Sequence, residues 1–124
     1  MLDFQQVNKL GEILNTTFGR ALDKGYGLKA SFAGETMTIN YHCAVYFATE
    51  TNLRDQVKIA EDSANQIVND AIGKAKTEFR DKTGQRVNLK EIDSKDSIEM
   101  VSTSSTAPRK VAYYRKAFVF EISS

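Results

Sequence analysis

Residues 36–47 read Thr-Met-Thr-Ile-Asn-Tyr-His-Cys-Ala-Val-Tyr-Phe. Every second residue from Met37 to Phe47 has a side chain suited to a buried position. Because successive side chains of a strand point to opposite faces, this row predicts a long strand packed on a core. The other face is polar over Thr38–His42 but carries Ala44 and Tyr46 at its end. We therefore expect a sheet whose second face is not purely hydrophilic.

A second alternating run precedes this strand. Its apolar residues are Tyr26, Leu28, Ala30 and Phe32. Ala33-Gly34-Glu35 separates the two runs and can turn the chain tightly. Two alternating runs joined by a short turn that contains glycine predict a β-hairpin.

The hairpin is preceded by a predicted helix from about Asp3 to Lys24. Asp3 and Gln6 have the spacing of a capping box, in which each side chain binds a free amide of the first turn. Gly25 and Gly27 follow the helix and favour its termination. The apolar stripe recurs every three or four residues and contains Phe4, Val7, Leu10, Leu14, Phe18 and Leu22.

A second, longer helix is predicted after the hairpin. It starts with Thr51 or Asn52 as its cap and ends at Thr83-Gly84, about 30 residues later. Much of its apolar stripe is alanine, which allows the helix to approach its packing surface closely. The stripe contains Leu53, Val57, Ala60, Ala64, Ile67, Val68, Ala71, Ile72, Ala75 and Phe79.

The C-terminal third predicts a second hairpin. Short strands are expected around Val87–Leu89 and Ile98–Val101, and Ser102–Pro108 reads as a polar loop. Val111–Ile122 is strongly β-forming, and neither of its two faces is purely polar. The order is thus helix, β-hairpin, long helix, β-hairpin. We predict a single α+β domain over residues 1–124, an antiparallel sheet with two helices on one face.

Composition excludes several classes of protein. The 124 residues include 17 basic and 16 acidic side chains, for a net charge of +1. One cysteine and one histidine exclude a disulfide framework, a thiolate-cage zinc site and a multi-histidine metal site. No run of signal-peptide or membrane-spanning length is present. We expect no cofactor, no metal and no membrane, in a reducing compartment such as the cytoplasm.

The residues capable of chemistry do not form a catalytic pattern. His42 and Cys43 are neighbours in a strand and so point to opposite faces. Asp93 and Asp96 flank Ser94-Lys95, and a solvated turn explains them better than a cation site does. We predict no catalytic residues and a protein that is not an enzyme. An enzyme subunit whose site forms between chains is the remote alternative.

The one segment suited to an interaction surface is residues 109–116, Arg-Lys-Val-Ala-Tyr-Tyr-Arg-Lys. Its basic residues could neutralise phosphates and its tyrosines could stack on bases. The same segment could instead be a strand with wet ends, or a basic surface that meets acidic groups of another copy. Residues 63–124 contain 11 basic and 8 acidic side chains, against 6 and 8 in residues 1–62. The candidate contact residues are Arg109, Lys110, Tyr113, Tyr114, Arg115 and Lys116.

Three segments together resemble the tail-terminator and tail-completion proteins of tailed bacteriophages. They are the N-terminal helix, the strand Thr36–Ala48 that continues into the long helix, and the terminal run Val111–Ile122. The likeness is in the order and length of elements, and Arg86–Met100 has no counterpart. The resemblance implies a small α+β subunit of a ring, a hexamer in that family. It also implies partners among the tail or neck proteins at the head–tail junction of the virion.

The leading hypothesis is therefore a non-enzymatic assembly protein that forms a homo-oligomeric ring. A neighbouring subunit would cover the second face of the sheet. In the isolated subunit that face would expose Tyr46, Val111, Tyr113 and Val119. The alternative is a small nucleic-acid-binding protein that uses residues 109–116.

Overall fold

The computed structural model describes residues 3–18, 26–100 and 110–123. The strands form one antiparallel sheet in the order β1-β2-β4-β3. This confirms the predicted α+β class and the order helix, hairpin, long helix, hairpin. The elements are α1 (Phe4–Phe18), β1 (Tyr26–Ala33), β2 (Thr36–Phe47), α2 (Glu50–Thr83), β3 (Asn88–Met100) and β4 (Lys110–Ser123).

The helix ends follow from capping chemistry. The capping box of α1 is formed. The backbone N–H of Gln6 donates to the Asp3 carboxylate, and the backbone N–H of Asp3 donates to the side-chain oxygen of Gln6. The cap of α2 is Thr49, whose hydroxyl accepts from the Asn52 amide at 3.1 Å, two or three residues earlier than predicted. Gly84 ends α2 at φ 71°, a left-handed conformation that glycine adopts without strain. Residues 19–24 of the predicted first helix, and the Phe18 side chain, lie outside the described residues.

The core lies between the two helices and one face of the sheet. Met37 and Ile39 of β2 are fully buried, as are Leu10 and Leu14 of α1. The alanines of α2 are also buried, since Ala64 is 0% exposed. The predicted inward row of β2 is confirmed, with Met37, Ile39, Tyr41, Val45 and Phe47 buried and Cys43 half-buried.

The third strand corrects the sequence prediction. In place of two short strands and a loop, residues 88–100 form one continuous strand paired with β4 along its whole length. A register shift between Glu91 and Asp93 marks a bulge, which leaves Ile92 out of the ladder. The prediction failed here because the run lacks apolar alternation. Its strand conformation comes from backbone pairing with β4 rather than from burial, and tertiary context overrides weak propensity.

The helices cover the sheet unequally. Leu89 is the one buried residue of β3, and every other residue of that strand is exposed. On β4 the side chains alternate between buried and accessible, so that strand still borders the core. Beyond Leu89, the helix side of β3 is therefore open, and so is the opposite face of the sheet, here called the outer face. Within the described residues, neither helix is long and apolar enough to cross a membrane.

Candidate functional site

The basic-aromatic segment of β4 is divided between the two faces of the sheet. Tyr114 and Lys116 point to the helix side and are buried, at 0% and 9% exposure. Tyr113 and Arg115 point to the outer face and are exposed. The alternation of a strand dictates this division. The segment consequently does not present one continuous basic-aromatic surface. Lys110, at the start of β4, is exposed, and Arg109 lies outside the described residues.

Tyr114 is held inside the fold by packing and by one hydrogen bond. Its ring meets that of Tyr41 edge to face, with centroids 6.3 Å apart. Its hydroxyl donates to Asp96 of β3 over 3.2 Å. Burial, followed by the Asp96 carboxylate, raises the pKa of Tyr114 well above that of a free tyrosine. In this structure Tyr114 links β3 to the core and is not available to a partner.

Lys116 is the only buried charged residue among those described. Its ammonium group donates to the Asn65 side chain of α2 over 2.7 Å and lies 3.9 Å from the Glu61 carboxylate. It also lies 4.9 Å from the centre of the Phe118 ring, within cation–π range. These contacts compensate a charge that would otherwise be costly to bury. Lys116 thus links α2 to β4 inside the fold.

A groove runs between α2 and the β3–β4 hairpin. It encloses about 800 Å³, and Lys116 lies at one side of it. Its floor is apolar and contains Val68, Ile72, Leu89, Phe118 and Phe120. Its rim is polar and contains Asp62, Asn65, Gln66, Asn69, Lys76 and Glu91. The sequence did not predict this groove, because its existence depends on how far α2 lies from β3.

Two apolar side chains at the far end of β3 lie on the same side of the sheet as this groove but outside its lining. Ile98 and Met100 are 46% and 56% exposed. Their register partners, Tyr114 and Ala112, point to the helix side, so Ile98 and Met100 share that side. We call this pair the tip patch, because it lies at the end of β3 that leads into the connection to β4.

The outer face carries a shallow basic concavity of about 550 Å³. We use this name for the cluster formed by Lys29 of β1, His42 of β2, Lys95 of β3 and Arg115 of β4, all of which line it. The sequence prediction included only Arg115, since the other three lie far apart in the chain. Strand order and register bring them together. The predicted exposure on this face is confirmed for Tyr46 and Tyr113, while Val111 and Val119 are half-buried.

The remaining reactive groups are dispersed. Cys43 faces the core and His42 the outer face, as their adjacent positions in β2 predicted. Asp93 and Asp96 lie in a strand, not in the predicted turn, and their partners Val119 and Lys116 lie on opposite faces. In the described parts of the chain, no three His, Cys, Asp or Glu side chains are grouped so as to hold a metal ion.

Comparison with known proteins adds no assignment. No family model matches the chain, and neither the curated proteins nor the solved structures contain a significant match.

Proposed function

We propose that this chain is a non-enzymatic assembly subunit that forms a homo-oligomeric ring. The observation that carries the proposal is the incomplete cover of the β3–β4 hairpin. Ile98 and Met100 lie on the side of the sheet where the chain's own helices form the core, yet about half of each is exposed. Apolar side chains grouped at one surface favour contact with another protein.

The occupant we propose for the groove is the tip patch of a second copy. The groove has an apolar floor and a polar rim, the anatomy of a protein interface. The tip patch and the groove are different surfaces of the same chain, so the contact between two copies is head-to-tail. Head-to-tail contacts generate closed rings when the rotation between copies closes.

The edge of β3 argues for docking through side chains instead of extension of the sheet. β3 is an edge strand, and such strands can add a strand from another chain unless they are protected. Lys90, Glu91, Asp93, Lys95 and Asp96 lie along it, and a bulge interrupts it. Charged residues and bulges are the features by which natural edge strands avoid strand addition.

The resemblance to phage tail terminators supplies the biological setting of the proposal. It implies a hexameric ring at the end of a tail tube, with tail or neck proteins of the virion as further partners. An exposed hairpin and an interface built from apolar side chains are consistent with a protein whose role is assembly. Nucleic-acid binding by residues 109–116 as a unit is less well supported, since Tyr114 and Lys116 are buried.

The test uses two variants that each damage one half of the contact. Ile98→Asp/Met100→Asp removes the tip patch, and Gln66→Arg/Asn69→Arg obstructs the rim of the groove. All four positions are exposed, so the fold should survive, which circular dichroism can check. By light scattering, each variant alone should have the monomer mass of 13.9 kDa. Mixed together, they should form one heterodimer, because one intact tip patch then meets one intact groove.

Phe4→Ser is the matched control. Phe4 is 78% exposed but lies at the other end of the sheet, near Gly34 and Ile122. This variant should retain the parent's mass. The proposal fails if the tip-patch variant keeps the parent's oligomeric mass, or if the two monomeric variants do not associate when mixed.

A further inference from the structure

We propose that the basic concavity of the outer face binds single-stranded nucleic acid. This site is separate from the tip patch and the groove, which lie on the helix side. It also differs from the basic segment of β4, because three of its four defining residues come from β1, β2 and β3. The chemistry that it offers is cationic in the concavity and aromatic beside it.

The register aligns the cationic groups across the sheet. Lys29 pairs with Asn40, Asn40 with Ala117, and Ala117 with Lys95, so both lysines lie in one transverse row. Three inter-strand spacings separate the Cα atoms of the lysines by about 14 Å. In the adjacent row His42 pairs with Arg115. Positive groups therefore border the concavity from both edges of the sheet.

These charges remain available to a ligand. Among the described residues, neither Lys29 nor Lys95 makes an ion pair. Arg115 bonds Glu99 through one guanidinium nitrogen at 3.0 Å, with both side chains more than half exposed. A guanidinium has five N–H donors, so Arg115 can bind Glu99 and a phosphate together. Asp96 also lines the concavity, but its carboxylate accepts from the Tyr114 hydroxyl on the helix side.

The floor of the concavity consists of small side chains and the imidazole of His42. Gly27, Ser97 and Ala117 lie in its two rows. The His42 ring lies directly over Gly27, where a Cβ atom would collide with it. Glycine at position 27 thus lets the imidazole lie against the sheet and leaves the concavity open. A phosphate in the concavity would therefore meet the imidazole and the small side chains of Ser97 and Ala117.

Aromatic side chains continue the same face along the strands. Tyr113 lies two residues from Arg115 on β4, one row further, and is 42% exposed. Tyr46, in the row after that, is 56% exposed. Cations followed by exposed tyrosines on an open sheet are the features that hold single strands, with phosphates at the cations and bases stacked on the rings. A duplex keeps its bases stacked on each other and cannot use the tyrosines in this way.

The experiment measures binding of a fluorescein-labelled 20-nucleotide oligothymidylate by fluorescence anisotropy over a salt series. Contacts from Lys29, Lys95 and Arg115 should give a slope of log affinity against log salt of about −2, from roughly −0.7 for each phosphate contact. Lys29→Ala/Lys95→Ala should reduce the slope to about −0.7 and weaken binding in low salt by about tenfold or more. Tyr113→Ala should weaken binding by about tenfold through lost stacking, with the slope unchanged.

The matched control removes two lysines elsewhere. Lys58→Ala/Lys74→Ala has the same change in net charge, but both positions are exposed on α2, away from the outer face. It should retain the parent's slope. Equal loss in the two double variants would overturn the site, as would an unchanged affinity in Lys29→Ala/Lys95→Ala or equally tight binding of the matching duplex. Light scattering on the same samples should give one mass for parent and variants, so the outcome is independent of the proposed ring.

Discussion

Strands β2 and β3 are nearly equal in length, at 12 and 13 residues, but differ in what stabilises them. β2 is central, pairs on both sides and buries five side chains against the helices. β3 is an edge strand that pairs only with β4 and buries Leu89 alone. Both belong to the same sheet, and β3 is interrupted only by its bulge at Ile92. Backbone pairing can therefore extend a strand well beyond the core that stabilises the domain.

The small burial of β3 bears on the function of the protein. A strand with little burial of its own adds little stability to the subunit, so its length and its exposed Ile98 and Met100 need another explanation. Contact with a second copy provides one. Substitutions on the covered part of the sheet should therefore cost more stability than matched substitutions on its open part.

The largest effect is expected at Lys116, by comparison with its neighbour Arg115. Lys116→Glu puts a carboxylate in a largely buried position near Glu61, and should cost about 3–5 kcal/mol of unfolding free energy. Arg115→Glu, on the open face, should change it by less than about 1 kcal/mol. Urea denaturation of both variants measures the contrast. Similar losses at the two positions would contradict the difference in burial between the two faces of β4.

The next largest effect is expected from the same Ile→Ala truncation made in β2 and in β3. Ile39→Ala in β2 removes a fully buried side chain and should cost about 2–5 kcal/mol. Ile98→Ala in β3 should cost less than about 1 kcal/mol in the monomeric Gln66→Arg/Asn69→Arg background, where no neighbour covers it. Thermal and urea unfolding would check both values. A cost at Ile98 equal to that at Ile39 would contradict the view that β3 contributes little to the core.

Sequence patterns predicted the covered part of the molecule well and the open part poorly. The alternation of β2 and the helical stripe around Ala64 and Phe79 arise from burial, and burial is what periodicity records. β3 has no such pattern, since its pairing with β4 needs only backbone groups. The same reason explains the site. Arg115 was visible in a local basic cluster, whereas Lys29 and Lys95 meet only through strand order and register.

Tyr114 and Lys116 were predicted as contacts because local composition does not reveal which face of a strand is covered.

A smaller effect is expected where β3 is linked to the core. Tyr114→Phe removes the hydrogen bond to Asp96 but retains the ring, and should cost about 1 kcal/mol. It should also increase amide hydrogen exchange in β3 more than in β2, because β3 loses a side-chain link to the rest of the fold. Uniform changes in exchange across the two strands would show that the hydrogen bond has no special relation to β3.

The smallest effect is a loss of stability at alkaline pH. Burial raises the pKa of both Tyr41 and Tyr114 above the usual value of about 10. Above that pH the unfolded chain releases these phenolic protons while the folded chain retains them. The stabilisation is therefore complete below about pH 10 and declines as the pH rises towards the folded-state pKa. Urea midpoints between about pH 9 and pH 11 should fall more gently for Tyr114→Phe than for the parent. Equal slopes would contradict the assignment to Tyr114.

The central claim, that the open side of β3 is an assembly surface, is tested most directly by the mass of the unmodified chain in solution. Light scattering should be recorded over a wide range of protein concentrations. A closed ring predicts one mass, an integer multiple of 13.9 kDa, that stays constant as the concentration rises. A mass of 13.9 kDa at every concentration would contradict the claim.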